Sequence, residues 1–317
     1  MHFLVNSSTD PYFNMAYDEY CLTRLGAEEP LFYLWRNRPS VIIGLNQNAY
    51  GEVNLEYLRS RGISLARRVT GGGAVYHDLQ NLNYSIIGRK VSPEPIVGAL
   101  RSLGVDAELS GRNDIFVGGR KVSGYARRVW QDRELVHGTL MYDVDLDTLG
   151  AALSVPGSKL ETKGIASVRS RVANLRDCLP GLASITDFAA AMQSLLACGD
   201  GGAELEKSAV AEIEKLAEEK FASWEWIYGH SREASLQRSA RLACGTVTAG
   251  ISLDRGLIRS VEFGGDFIGD LPADFVAERL RGVRFEHQSL LSALEDCEVG
   301  KAFAGTTPAE LAELLAG

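Results

Sequence analysis

The chain of 317 residues has five cysteines, scattered without a C-x-x-C pair. Such spacing offers neither a disulfide framework nor a zinc site, and it suits a reducing, cytoplasmic compartment. No stretch approaches the run of about eighteen apolar residues needed to span a bilayer, so no membrane association is expected. The N-terminus, Met1-His2-Phe3-Leu4-Val5-Asn6, lacks the basic segment of a secretory signal and quickly turns polar. Positive charge is also in short supply. The 33 Lys and Arg face 41 Asp and Glu, a net charge of −8, which argues against a general nucleic-acid binder and makes any anion site a local affair. No Walker loop is present: the nearest match, starting at Gly119, reaches Gly124 and is followed by Tyr125 and Ala126 instead of Lys and Ser or Thr. There is no G-x-S-x-G elbow for a serine hydrolase and no H-x-x-x-H or H-x-H spacing for a metal centre, so no protein-held metal is expected. No internal repeat or low-complexity tract stands out.

With 45% hydrophobic and 23% charged residues, the composition is that of a folded globular protein. Its length exceeds what one core usually organises, so we expect two units divided near residue 235, a larger one over 1–235 and a smaller one over 236–317. Asp10 followed by Pro11 marks the start of a helix, with Asp10 as N-cap. The apolar runs 31–35 and 41–44, separated by Asn37-Arg38-Pro39-Ser40, suggest a hairpin. Residues 115–117, then Gly118-Gly119, then 121–126 give a stronger hairpin signal, and 135–142 would add a third strand. In that meander, simple alternation would put Lys121, Ser123 and Tyr125 on one face. Residues 203–222 carry apolar residues at helical spacing, a new hairpin spans 247–263, helical patterns follow at 273–280 and 289–294, and Thr307-Pro308-Ala309-Glu310 is a capping box opening the last helix.

Two constellations could carry chemistry. Arg67-Arg68-Val69-Thr70-Gly71-Gly72-Gly73-Ala74-Val75-Tyr76-His77-Asp78 couples two cations to three glycines, whose N–H groups can approach a phosphate without interference from Cβ atoms. The second is Gly111-Arg112-Asn113-Asp114, Lys121-Val122-Ser123-Gly124-Tyr125-Ala126 and His137-Gly138-Thr139-Leu140. From residue type alone, Lys121 beside a hairpin turn is an ordinary solvated cation, His77 and His137 are packed or hydrogen-bonded, and Trp224 and Trp226 serve packing.

Taken in order, these segments resemble the lipoate-protein ligase family. Asn81, the Asn46-Gln47-Asn48 stretch, the segment 163–174 and the 224–229 block are similar to it as well, so the resemblance covers nearly all of the first 230 residues. It implies an α+β catalytic domain of biotin-ligase-like mixed β-sheets with helices, followed by a small α+β accessory domain. It also implies an enzyme that uses ATP to convert lipoate to lipoyl-AMP and passes the lipoyl group to a lysine of an acceptor. The acceptors would be apo lipoyl domains of 2-oxoacid dehydrogenase complexes or the glycine cleavage H protein, and the enzyme a monomer. Carried over by motif, Lys121 is the catalytic residue, meeting the lipoate carboxylate and the adenylate phosphate. Arg68, Gly72, Gly73, Ala74, Val75 and Tyr76 would line the nucleotide and acyl-adenylate pocket. His77, Asn81, Asn113, Asp114, Ser123, Gly124, Ala126, His137, Gly138 and Thr139 would complete the binding positions. Magnesium would accompany the triphosphate.

Three positions depart from the family pattern: Gln80, where Gly is common; Tyr125, at a position usually small; and Leu45, where a basic residue is frequent. A tyrosine sharing the face of Lys121 would reshape the acyl pocket. The basic residues Arg127, Arg128 and Arg133 are expected to steer an acidic acceptor. An acyl transferase fed by a preformed activated lipoyl or octanoyl donor is the alternative. A thiol-dependent relay is disfavoured because no cysteine lies between Cys21 and Cys178. Intact Lys121 and Arg68 disfavour a silent binding module.

Overall fold

The computed structural model describes residues 1–25, 29–110, 113–153, 171–198, 201–231 and 234–317. The chain divides into two compact units, Met1–Gln47 with Glu52–Trp226, and Asn48–Gly51 with Ile227–Gly317. Among its described residues the first unit has ten strands: β1 (His2–Phe3), β2 (Leu31–Trp35), β3 (Ser40–Ile43), β4 (Ser64–Arg67), β5 (Val75–His77), β6 (Asn81–Gly88), β7 (Ala107–Ser110), β8 (Asp114–Val117), β9 (Arg120–Trp130) and β10 (Arg133–Met141). Seven form one sheet in the order β1-β2-β6-β10-β9-β8-β7, and three form a second in the order β4-β3-β5. Both sheets are mixed: β1 is parallel to β2 and β4 to β3, while the other pairs are antiparallel. With the helices around them this is an α+β fold.

Strand alternation divides the larger sheet into two faces. Phe32, Leu34, Leu82, Tyr84, Ile86, Val136 and Leu140 enter one core with Ile96, Leu100, Phe188 and Met192 of the helices Glu94–Ser102 and Ile185–Leu196. Leu31, Tyr33, Trp35 and Leu135 point the other way, toward Ile42 and Ala66 of the small sheet and the helix α1 (Pro11–Thr23). That helix starts where the sequence says it should. Asp10 Oδ1 accepts from the N–H groups of Tyr12 at 2.8 Å and Phe13 at 3.2 Å, a cap worth about 1 kcal/mol.

The hairpin expected from 31–35 and 41–44 does not form. β2 pairs with β1 and β6, and β3 with β4 and β5, so Asn37-Arg38-Pro39-Ser40 is a corner that carries the chain from one sheet to the other. Asn37 explains why: it is fully buried, accepts from Asn14 Nδ2 at 2.8 Å and lies 3.0 Å from His77 Nδ1, which anchors the corner inside the protein. The meander of β8, β9 and β10 does form, with Gly118 at φ 56° and Gly119 at φ 75° making its first turn. The amphipathic stretch read over 203–222 becomes an α-helix only at Lys207–Leu216 and ends in a π-helical turn, Ala217–Phe221.

In the second unit β11 (Ala234–Leu242), β12 (Gly245–Asp254) and β13 (Leu257–Gly265) form an antiparallel meander. Arg255 and Gly256 both have positive φ, as a tight hairpin turn requires. The capping box of Thr307 and Glu310 opens the helix Pro308–Ala316. The short stretch 48–51 belongs to this unit: Ala49 N donates to Ser231 Oγ at 3.0 Å, and the Tyr50 ring lies 5.6 Å from Tyr228 and 5.4 Å from Phe285.

Candidate active site

A cavity of about 100 Å³ lies in the first unit, where the glycine turn and the small sheet face the larger sheet. β9 brings Lys121 to it through an irregularity in pairing. Ile115 sits opposite Ser123 and Phe116 opposite Lys121, which leaves Val122 without a partner. This extra residue is a β-bulge. Ser123 therefore shares the face of Ile115, in the helix-covered core, and Lys121 shares the opposite face with Gly124 and Ala126. The single-face reading of Lys121, Ser123 and Tyr125 is thus corrected. Tyr125 pairs with Gly138 and packs against the helix-covered core, on the face of Ser123, while still contributing to the cavity lining.

Glycines at two positions make this arrangement possible. A Cβ on Gly124 would lie 2.9 Å from Lys121 Nζ, so the lysine end lies across the strand in the space a side chain there would take. Its ammonium reaches Asp114 Oδ1 at 2.7 Å, and the lysine side chain is 33% exposed. A Cβ on Gly138 would lie 2.6 Å from Tyr84 Oη, so β10 can cover that ring only with glycine. Beyond it, Thr139 Oγ1 accepts from Gly124 N at 3.1 Å and extends the ladder by a side chain.

The two arginines before the glycine turn have separate tasks. Arg67 is fully buried; its Nη1 donates to the carbonyls of Gly44, Leu45 and Gln47, and its Nε to that of Trp226. Arg68 lines the cavity. Its Nη2 donates to the carbonyls of Gly71 at 2.7 Å and Gly73 at 2.8 Å, its Nη1 to that of Ile42 at 3.0 Å, and its Nε to Thr70 Oγ1 at 3.0 Å. The guanidinium thus shapes the turn from inside, and burial lowers its pKa to about 10. Gly72 takes φ 97°, and a Cβ on Gly44 would lie 2.2 Å from its carbonyl oxygen.

Behind the cavity runs a chain of buried polar groups. Asp18 Oδ1 accepts from Tyr33 Oη at 2.5 Å and Ser85 Oγ at 2.7 Å, and Asp18 Oδ2 accepts from His137 Nδ1 at 2.6 Å. His137 Nε2 lies 2.7 Å from Thr70 Oγ1. Thr70 Oγ1 already accepts from Arg68, so its own proton is free for His137, and one tautomer satisfies the whole line from Arg68 to Asp18. Burial, then the charge of Arg68, then His137 push the pKa of His77 down to about 3, so its ring is neutral. Two buried atoms at the cavity, His77 Nε2 and Asn83 Nδ2, have no hydrogen-bond partner among the described residues.

Of the residues singled out in the sequence, the structure gathers Arg68, Gly73, Ala74, Val75, His77 and Asn113 around this cavity. Lys121, Gly124, Ala126, His137, Gly138 and Thr139 close its other side. Asp114 is held through Lys121, and Asn81 donates to Asn83 Oδ1 at 2.8 Å. Gly72 lines an adjoining groove of about 390 Å³, which shares Asn113, Tyr125 and Ala126 with the cavity. Tyr76 and Ser123 alternate onto other faces: Tyr76 turns toward Asp78 and Asp145, which, after burial, raise its pKa, and Ser123 is fully buried beside Tyr84. Gly111, Arg112 and residues 163–170 lie outside the described residues. Sequence reasoning missed Met15, Trp35, Ile42 and Asn83 on the wall and Asp18 behind it, and gave Thr70, quoted within the glycine run, no role of its own. Asp18 did leave a signal, a carboxylate between Met15 and Leu22 on the buried stripe of α1.

The fold is that of a ligase class. The chain belongs to the lipoate-protein ligase family: residues 10–197 match the lipoyl protein ligase A/B catalytic domain, and residues 231–315 the bacterial lipoate protein ligase C-terminus. It is 36% identical to lipoate-protein ligase LplJ of Bacillus subtilis, over 99% of this chain and 100% of that protein. It is 38% identical to lipoate-protein ligase 1 of Staphylococcus aureus, again over 99% and 100%. Among solved structures it is similar to the bipartite lipoate protein ligase of Thermoplasma acidophilum, studied with its E2 lipoyl domain, at a TM-score of 0.66 and 32% identity over 73% of this chain and 97% of that one. A lipoate-protein ligase A bound with ATP matches at 0.62 and 31%, over 71% and 97%.

Proposed function

We propose that this protein ligates lipoate to a specific lysine of an acceptor domain at the expense of ATP. A lipoate carboxylate oxygen attacks the α-phosphorus, pyrophosphate leaves, and lipoyl-AMP remains in the cavity. The acceptor's neutral lysine amine then attacks the acyl carbon, AMP departs, and the amine gives up a proton as the amide forms. No enzyme nucleophile is needed; the protein's part is to hold the partners and balance developing charge.

The observation that carries this reading is the bulge at Val122, which aims Lys121 into the cavity that the glycine turn lines. Among the described residues of the cavity its ammonium is paired to one carboxylate, whereas the Arg68 guanidinium is committed to carbonyls. In this reading Lys121 meets the carboxylate and the phosphate, and the amides of Gly73, Ala74 and Val75 face the nucleotide. The neutral His77 and the Asn83 amide supply polar atoms to the bound acyl-adenylate. Among the described residues no three or more His, Cys, Asp or Glu side chains cluster as metal ligands. Magnesium would therefore arrive with the triphosphate, keeping most of its waters, with Asp114 the carboxylate beside Lys121. Cys21 is fully buried and its thiol is held protonated by burial, which weighs against a thiol relay through that residue.

In this reading the acceptors are apo lipoyl domains of 2-oxoacid dehydrogenase complexes or the glycine cleavage H protein. The enzyme works as a cytoplasmic monomer, and the second unit is an accessory domain. Among the described residues no helix is long and apolar enough to cross a membrane. Pyrophosphate release from ATP and lipoate, with no acceptor present, tests the central step. Release only when acceptor is added would favour a transferase using a preformed donor.

A further inference from the structure

The hairpin that joins β9 to β10 projects from the wall of the cavity. Ala126 pairs with His137, Arg128 with Leu135 and Trp130 with Arg133. Ala126, Arg128 and Trp130 therefore share the face that carries Gly124 and Lys121. At its tip Trp130 is 38% exposed and Val129 60% exposed, large apolar side chains left in water. Trp130 is held in place: Arg128 Cζ lies 6.0 Å from its ring centroid, and Arg128 Nη1 donates to Val69 O at 2.9 Å, one residue before Thr70 and the glycine turn.

The surroundings are cationic. Arg89, Lys90, Arg127, Arg128 and Arg133 stand against Asp132 and Glu134, five positive charges to two negative, a local +3 on a chain of net −8. Not all of them are available. Arg133 donates to the carbonyls of Thr23 and Leu25 and so finishes α1, which ties down its side chain and leaves its charge in the patch. Arg127 pairs with Glu134, and Arg89 lies 3.4 Å from Asp132 with 79% of its side chain exposed.

We propose that this hairpin tip is the surface on which the acidic acceptor protein docks, with Trp130 as its apolar anchor and the Arg89, Lys90 and Arg127 group as its steering charges. This rests on the ligase reading above. An exposed tryptophan with an arginine against its ring is the side-chain chemistry that dominates protein interfaces. A patch opposite in sign to the rest of the molecule attracts an anionic partner over a distance and speeds its encounter. The reach also fits. Trp130 lies four residue steps along the strand from Ala126 at the cavity, roughly 13 Å. That is about the radius of gyration of a 100-residue domain, so a partner resting on the tip can lower a lysine to the cavity.

The test uses the intact enzyme, an unmodified lipoyl domain of net negative charge, and two variants, Trp130→Ser and the double variant Arg89→Glu with Lys90→Glu. Pyrophosphate release without acceptor should be unchanged in both, as should trapping of the acyl group by hydroxylamine. Transfer to the lipoyl domain should lose at least about tenfold in kcat/KM, mostly through KM. In the charge variant the salt dependence of transfer should flatten. Unchanged transfer in both variants would overturn the proposal. So would concentration-dependent dimers of the wild type that Trp130→Ser abolishes, because the tip would then serve a second copy of the chain. Binding of a labelled lipoyl domain without ATP, followed by fluorescence anisotropy, reads the surface by itself. A wild type that binds the domain but releases no pyrophosphate would therefore sink the ligase reading and leave the docking surface standing.

Discussion

Arg67 and Trp226 hold each other by reciprocal hydrogen bonds: Arg67 Nε donates to the Trp226 carbonyl at 2.9 Å, and Trp226 Nε1 donates to the Arg67 carbonyl at 2.8 Å. The same guanidinium holds the carbonyls of Gly44, Leu45 and Gln47. Gln47 and Trp226 are each the last residue of the first unit before the chain passes to the second. One buried side chain thus fixes both departures, and its neighbour Arg68 fixes the glycine turn. Replacing Arg67 by Met should leave several buried carbonyls unpaired and cost on the order of 3 kcal/mol or more in urea unfolding. Lys, with a single ammonium where the fork reached four carbonyls, should recover only part of that.

Lys121 is expected to behave in the opposite way, mattering to activity and little to stability. Its ion pair with Asp114 is partly exposed, so Lys121→Met should change the unfolding free energy by less than about 1 kcal/mol. Pyrophosphate release should nevertheless fall by about a hundredfold to a thousandfold, the usual effect of removing one group that stabilises developing negative charge. Calorimetry and a pyrophosphate assay on one preparation check both halves. A loss of activity matched by a loss of folded protein would deny Lys121 the role.

The glycine and lysine motifs were legible because they are local runs in which residue type and spacing carry the chemistry. What the sequence hid depends on pairing or burial. Val122 and Ser123 are both compatible with either face of a strand, so nothing in their identity announces the bulge that separates Ser123 from Lys121. Arg67 and Arg68 are indistinguishable as letters, yet one clasps the chain's exits and the other the turn. Asn37 looks like a turn residue and is fully buried. β11 escaped notice because Leu236, Arg238 and Ala240, on one face, are only half-buried and do not alternate as apolar against polar.

Tyr125 gives a direct check on the bulge. Tyr125 lines the cavity, but its place on the strand puts its ring against the helix-covered core, so Tyr125→Ser should leave the preference between lipoate and octanoate where it was. The change should instead lower stability by about 1–3 kcal/mol, the range for truncating a partly buried aromatic side chain. Competition between the two acids in a pyrophosphate assay, beside a urea melt, separates these outcomes. A shift in chain preference at unchanged stability would place the ring in the acyl cavity after all.

His77 sets a pH dependence whose sign follows from its burial. Its folded pKa is about 3 against an ordinary 6.5, so above 6.5 the ring is neutral folded or unfolded, and its contribution is fully present. As the pH falls below 6.5, the unfolded chain binds a proton that the folded one refuses, and stability drains away until the folded pKa is reached. In that window the loss from this residue alone approaches about 1.4 kcal/mol per pH unit. His77→Gln keeps a polar side chain near Asn37 and has no proton to take up. Its unfolding free energy should therefore fall less steeply with acid than that of the wild type, by close to one proton's slope between pH 6 and about 4. Parallel slopes for the two proteins would mean that the imidazole charges within the fold, and that the cavity is wetter than its packing implies.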